Sequence, residues 1–82
     1  MTTQTENTIP LHVHVEDAAQ RYFAALGDAK ANNLYEIFLA ELEKPLLIAT
    51  LKHTRGNQSK AAKILGLNRG TLRTKLKSYR LL

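Results

Sequence analysis

The chain has 82 residues, 44% of them hydrophobic and 23% charged, with no cysteine and a net charge of +5. This length falls below the ~100 to 200 residues of a typical folding unit, which disfavours a two-domain enzyme with an interdomain cleft, and the lack of cysteine excludes disulfides and thiolate metal sites. A domain this short buries only about 60% of its unfolded surface, so self-association or a bound partner is the remaining way to stabilise it.

Residues 1 to 10 are polar, threonine-rich and without periodicity, and end in Ile9-Pro10; they read as a flexible tail. They lack the basic and apolar regions of a signal peptide, and no later run reaches the ~18 apolar residues of a membrane span, so a reducing cytoplasm is the expected location, with no membrane partner. A first helix is expected over about Val15 to Leu26, where Val15, Ala18, Ala19, Tyr22, Phe23 and Leu26 form one stripe. Glu16 and Asp17 would lie in its first turn, with Gly27 in the left-handed conformation past its end. The polar connector DAKANN leads to a second helix capped by Asn32 or Asn33.

The second helix, about Leu34 to His53, is apolar on almost every side: Leu34, Tyr35, Ile37, Phe38, Leu39 and Leu42 are followed by Leu46, Leu47, Ile48 and Leu51. Such a helix must be buried on several sides, which a short monomer cannot do and a partner copy can. Pro45 inside the run predicts a kink, because the pattern continues beyond it; the alternative is two helices broken at that residue. Residues 11 to 54 are thus expected to be dimerisation helices.

Beyond them the charge changes sign. Met1 to Ala49 holds Arg21, Lys30 and Lys44 against seven acidic residues, for −4, whereas Thr50 to Leu82 holds nine basic residues and no acidic one, for +9. A uniformly cationic segment points to nucleic acid or an anionic surface. After a glycine stop at Arg55-Gly56, Asn57 caps a short helix over about Gln58 to Leu65, whose inner face is read as Ala61, Ala62, Ile64 and Leu65. Gly66-Leu67-Asn68 makes a turn, and Asn68 caps a last helix from Arg69 to Tyr79 with Leu72, Leu76 and Tyr79 inside.

Two short helices joined by a glycine-containing turn describe a helix-turn-helix over residues 55 to 82, with small Ala61 and Ala62 at the point of closest approach. The last helix then presents Arg69, Gly70, Arg73, Thr74 and Lys77 outward, with Thr71 and Ser78 on the flank. That face suits the major groove of double-stranded DNA. Arg69 and Arg73 are the candidate base readers, and Thr71 can reach a phosphate or a thymine methyl. Asn57 and Asn68 sit at helix starts, where backbone amides also bind phosphate. Arg55, Lys60, Lys63, Lys75 and Lys77 would add sequence-independent attraction.

Other chemistry has little support. His12 and His14 could share one side of a strand through HVHV but have no third metal ligand nearby. Glu36, Glu41 and Glu43 lie near no apolar cleft that would raise their pKa, so neither catalysis, a cofactor nor a metal is expected.

The run TRGNQSKAAKILGLNRGTLRTKLKSY, Thr54 to Tyr79, resembles the C-terminal helix-turn-helix of the bacterial Fis family, the factor for inversion stimulation, and NNLYEIFLAELEKPLL resembles its dimerisation helix, proline included. The resemblance spans about Val15 to Leu82. It implies an all-α, four-helix subunit in an intertwined homodimer, associated with the nucleoid, which binds degenerate sites, bends DNA and regulates transcription, with RNA polymerase a candidate partner. It marks Asn57, Ser59, Asn68, Arg69, Thr71, Arg73 and Lys75 as DNA-contacting, with Arg69 the principal base reader. Thr74 and Ser78 stand where the best-known members carry lysine, which would weaken phosphate attraction. The short stretch ahead of the first helix implies weak or absent recombinase stimulation, a function of a β-hairpin arm in that family. Two alternatives stay open: the DNA-binding domain of an activator of the NtrC type, disfavoured by a chain that starts at Met1 without an ATPase module, and a protein-interaction module that binds no DNA.

Overall fold

The computed structural model describes residues 9–30 and 32–82. Most of the tail expected over residues 1 to 10 therefore lies outside the described residues. Four helices follow one another: α1 (Leu11–Leu26), α2 (Leu34–His53), α3 (Gln58–Leu65) and α4 (Arg69–Ser78). No strand occurs among the described residues, so the chain is all-α. It divides into two units, one ending at Asn32 and carrying α1, the other running Asn33–Leu82.

In the first unit, α1 starts earlier than its apolar stripe suggests. Pro10 holds φ at −53°, and its carbonyl accepts the Val13 N–H at 3.0 Å, so helical bonding begins directly behind the proline. The HVHV alternation is consequently helical, and His12 and His14, about 200° apart on that surface, share no face. Glu16 and Asp17 fall beyond the first turn, where Asp17 pairs with Arg21 one turn on. Gly27 does take a positive φ of 62°, but at a ψ of −123° that lies outside the left-handed helical region. None of the α1 residues is buried within the chain.

In the second unit, Asn33 precedes α2 in the left-handed conformation, φ 60°, without a side-chain cap; its carbonyl accepts the Ile37 N–H at 3.0 Å. The expected asparagine cap is thus a backbone one. α2 then runs unbroken through Pro45. The alternative of two helices is excluded, because one missing N–H leaves the flanking bonds able to carry the helix on.

Leu47, Ala61, Ala62, Leu72 and Leu76 form the core, flanked by Leu51, Leu65, Leu67, Tyr79 and Leu81. Ala61 and Ala62 are buried to 0% and 4% exposure, which lets α3 approach α2 and α4 without side-chain interference. Ile64 departs from the expected inner face: it is 58% exposed. A two-turn helix turns only one arc inward, and Ile64 lies at the edge of the arc held by Ala61, Leu65 and Ala62.

The second unit's helices all close with the same bond pattern, an amide reaching back to the carbonyl five residues earlier: Gly56 to Leu51 at 2.8 Å, Leu67 to Ala62 at 2.9 Å and Leu81 to Leu76 at 2.8 Å. The left-handed residue before each of these amides is Arg55 (φ 55°), Gly66 (φ 75°) and Arg80 (φ 58°). Glycine holds that position without strain, whereas arginine does not. Arg80→Gly is therefore expected to stabilise the unit: release of about 1 to 2 kcal/mol of backbone strain exceeds the roughly 0.5 to 1 kcal/mol lost to the freer unfolded chain. A rise in the urea midpoint at unchanged m-value checks it.

Candidate nucleic-acid interface

Leu72 and Leu76 are buried at 0% exposure, which fixes the rotation of α4 about its axis. Arg69, Gly70, Thr71, Arg73, Thr74, Lys77 and Ser78 are consequently all exposed. Asn57 and Ser59 are exposed at the start of α3, and Asn68 at the start of α4. No acidic side chain occurs from Thr50 to Leu82 to offset this surface.

Both asparagines cap their helices. Asn57 Oδ1 accepts the Lys60 N–H at 3.0 Å, and Asn68 Oδ1 accepts the Gly70 N–H at 2.7 Å. A Cβ added at Gly70 would meet that same Asn68 oxygen at 3.1 Å, so the glycine makes room for the cap. With each carbonyl oxygen directed at its own helix, the side-chain NH2 is the group that can donate outward to a phosphate.

Arg73 donates from Nη1 to Gln58 Oε1 at 3.0 Å, joining the middle of α4 to the first turn of α3. Thr74 donates its hydroxyl to the Gly70 carbonyl at 3.0 Å, one turn back. Arg69, Thr71 and Lys77 are each exposed along α4, with Arg69 and Thr71 on opposite flanks. Behind α3, His53, Thr54, Arg55, Lys60 and Ile64 line a shallow cleft of about 340 Å³ with cationic walls.

Lys75 is only partly exposed, and its Nζ donates to Glu43 Oε2 at 2.7 Å. The other carboxylate oxygen, Oε1, accepts the Tyr79 hydroxyl at 2.6 Å. Glu43 sits one turn before buried Leu47, on the face of α2 turned toward the core. The hydrogen bond from Lys75, followed by that from Tyr79, holds the Glu43 carboxyl below the usual carboxylate range, with burial opposing in part. The same contact raises the Tyr79 phenol above its ordinary value.

A carboxyl whose folded pKa lies below its unfolded one stabilises the fold at pH above the unfolded value, and that stability is lost as pH falls through the folded value. The urea midpoint of the parent is accordingly expected to exceed that of Glu43→Gln at neutral pH. The gap should close on acidification below the ordinary carboxylate range. A gap independent of pH would contradict the assignment.

Sequence reasoning missed Glu43 and Gln58. For Glu43 a signal was present: an acid four residues before a core leucine, with Lys75 and Tyr79 four apart on the closing helix. The contact needs tertiary structure, being 32 and 36 residues away in sequence. Among the described residues no cluster able to hold a metal occurs, and no helix is long and apolar enough to cross a membrane.

Two short capped helices meeting at a glycine turn, braced by a third and presenting one acid-free surface, define a helix-turn-helix protein. Residues 38–79 match the family described as "Bacterial regulatory protein, Fis family". The chain is also 53% identical over 70 residues to the DNA-binding protein Fis of Proteus mirabilis, an overlap of 85% of this chain and 71% of that one. The same identity and shares hold for the proteins of that name from Sodalis glossinidius and Klebsiella pneumoniae. The chain belongs to the Fis family, whose members are regulatory proteins rather than enzymes.

Proposed function

We propose that the protein is a sequence-tolerant, DNA-bending regulator of transcription that acts on duplex DNA as a homodimer in the bacterial nucleoid. The exposed face of α4 carries this reading: Leu72 and Leu76 anchor one side, and Arg69, Arg73, Thr74 and Lys77 crown an acid-free segment on the other. The name shared by the relatives, DNA-binding protein Fis, supports it.

In this reading α4 enters the major groove, where Arg69 reads a guanine edge and Arg73, held by Gln58, reaches a second base or a phosphate. Thr71, Thr74 and Lys77 complete the face, while Asn57, Ser59 and Asn68 grip phosphates at the two helix starts. Residues 11 to 54 assemble the dimer and residues 55 to 82 read DNA, so two reading heads act together. If those heads lie closer than one turn of the duplex, the DNA must curve to meet both, and its deformability supplies much of the selectivity. A cytoplasmic, nucleoid-bound location follows from such binding, and RNA polymerase is the proposed further partner in transcription.

Gel-shift titration of the parent and Arg69→Ala against duplex DNA at two salt concentrations tests the reading. Affinity of the parent is expected to drop by orders of magnitude as salt rises. Loss of one bidentate base contact of about 1 to 3 kcal/mol in each protomer should weaken Arg69→Ala at its best site by about 30-fold at the least and by up to about 10,000-fold. A parent with salt-independent or undetectable binding would favour an interaction module that engages no DNA.

A further inference from the structure

The two arginines on the outward side of α4 are held differently. Arg69 and Arg73, one turn apart, lie about 40° from each other on the helix surface. Arg73 donates from Nη1 to Gln58 Oε1 at 3.0 Å. Among the described residues no side chain accepts from Arg69. Both ends of the Arg73 bond stand on fixed backbone. Arg73 follows Leu72, which with Leu76 is buried at 0% exposure. Gln58 is half-buried in the first turn of α3, where the Asn57 side chain accepts the Lys60 N–H and the Asn57 carbonyl accepts the Ala61 N–H at 3.0 Å. Ala61 and Ala62 behind it are buried. Only the two side chains are then left to move relative to each other, and the bond removes much of that freedom. It engages Nη1 alone, so the Nε–Nη2 edge of the guanidinium, one of its two bidentate edges, takes no part in it.

We propose that Gln58 is a specificity-determining positioning residue, which pre-orients Arg73 so that its Nε–Nη2 edge meets a base edge in the major groove. This rests on the DNA-binding reading and deepens it, since Arg73 is thereby assigned to a base rather than to a phosphate. A phosphate contact tolerates a swinging cation, whereas a bidentate base contact needs both donors in one plane. Holding the guanidinium in place beforehand removes an ordering cost that a mobile arginine meets on binding. The neutrality of the partner matters too. A carboxylate here would orient the guanidinium equally well but cancel its charge, and attraction to DNA would fall with it; an amide oxygen orients without neutralising. Gln58 also lies between Asn57 and Ser59, the two side chains proposed to grip phosphate at the start of α3. The contact thus ties a base reader on α4 to the part of α3 that the DNA backbone would register.

Gln58→Met tests this, because it keeps the aliphatic stem and deletes the acceptor. In the free protein, NMR of the guanidinium nitrogens is expected to show slow rotation about Nε–Cζ in Arg73 of the parent and fast rotation in Gln58→Met, with Arg69 the fast reference in both. Arg73 as mobile as Arg69 in the parent would overturn the positioning. For binding, two duplexes are compared, a site selected from a random pool and a scrambled sequence of the same length. In the proposed dimer two ordering costs return, so Gln58→Met should bind the selected duplex about 5-fold or more weakly and the scrambled one less than about twofold. The salt slope should not change on either, since no charge is lost. In an Arg73→Ala background the same substitution should have no effect. No loss on the selected duplex, equal loss on both, or a loss that persists without Arg73 would overturn the specificity role. Should the parent bind neither duplex, the DNA reading falls and the specificity role with it, while the guanidinium rotation still decides whether Gln58 holds Arg73.

Discussion

Replacing Leu76 by alanine is expected to abolish cooperative folding of the second unit at ambient temperature. Leu76 is 0% exposed and lies in a core that, among the described residues, has five buried apolar members, two of them alanines with little volume to give up. Deleting a buried leucine side chain to alanine costs about 2 to 5 kcal/mol, the upper end applying where neighbours cannot collapse into the space. Its neighbours here are held by backbone: the Leu76 carbonyl accepts the Leu81 amide at 2.8 Å, and α3 is braced at both ends by Asn57 and Gly66. A unit of this size has roughly 0.05 to 0.15 kcal/mol per residue in total, a few kcal/mol, so the substitution consumes most of it. Circular dichroism with urea titration should show a shallow, non-cooperative loss of helix in Leu76→Ala. Leu76→Met, which conserves volume, should cost under about 1.5 kcal/mol and keep a sharp transition. A sharp transition within 1 kcal/mol of the parent in Leu76→Ala would show that the leucine layer is not what holds α4.

The limits of α2, α3 and α4 were legible in the sequence because local chemistry sets them. Asn57 and Asn68 are side-chain caps in the structure as in the pattern, and Gly66 is the left-handed residue a tight turn requires. α1 begins four residues before its apolar stripe for the opposite reason: HVHV mimics a strand, and only the bonding that starts behind Pro10 settles it as helix. Ile64 is exposed against its pattern because periodicity alone cannot tell the edge of an apolar arc from its centre. Much of the candidate interface could be found from residue type, since an outward face of arginine and threonine follows once Leu72 and Leu76 point inward. What eluded the sequence were the contacts that aim those residues. Gln58 on Arg73 and Glu43 on Lys75 join positions far apart in the chain, and nothing in a lysine's own neighbourhood in sequence distinguishes one with a half-buried partner from one without.

The double substitution Leu42→Glu with Leu46→Glu is expected to convert the proposed dimer into a monomer at micromolar concentration, and with it to remove high-affinity binding. On α2, Tyr35, Leu39, Leu42 and Leu46 fall at spacings of four, three and four, which places them on one stripe, while Leu47 and Leu51, which pack in the core, lie about 100° or more around the helix from it. Tyr35 is 77% exposed, Leu42 41% and Leu46 47%, a contiguous apolar surface that a monomer has no reason to keep. Covering the exposed half of each leucine is worth about 1 kcal/mol, and four such side chains occur in a dimer. Their loss alone would raise the dimer dissociation constant by about three powers of ten, before counting the cost of bringing four carboxylates into an apolar contact. Because the stripe lies away from Leu47 and Leu51, the second unit should keep its helix content, with a urea midpoint lowered only by the lost association. Sedimentation would then report a monomer, and the slope of log affinity against log salt should fall to about half that of the parent, since one reading head neutralises half the phosphates. If the variant still sediments as a dimer and retains the parent slope, α2 is not the seam, and the exposed leucines need another occupant.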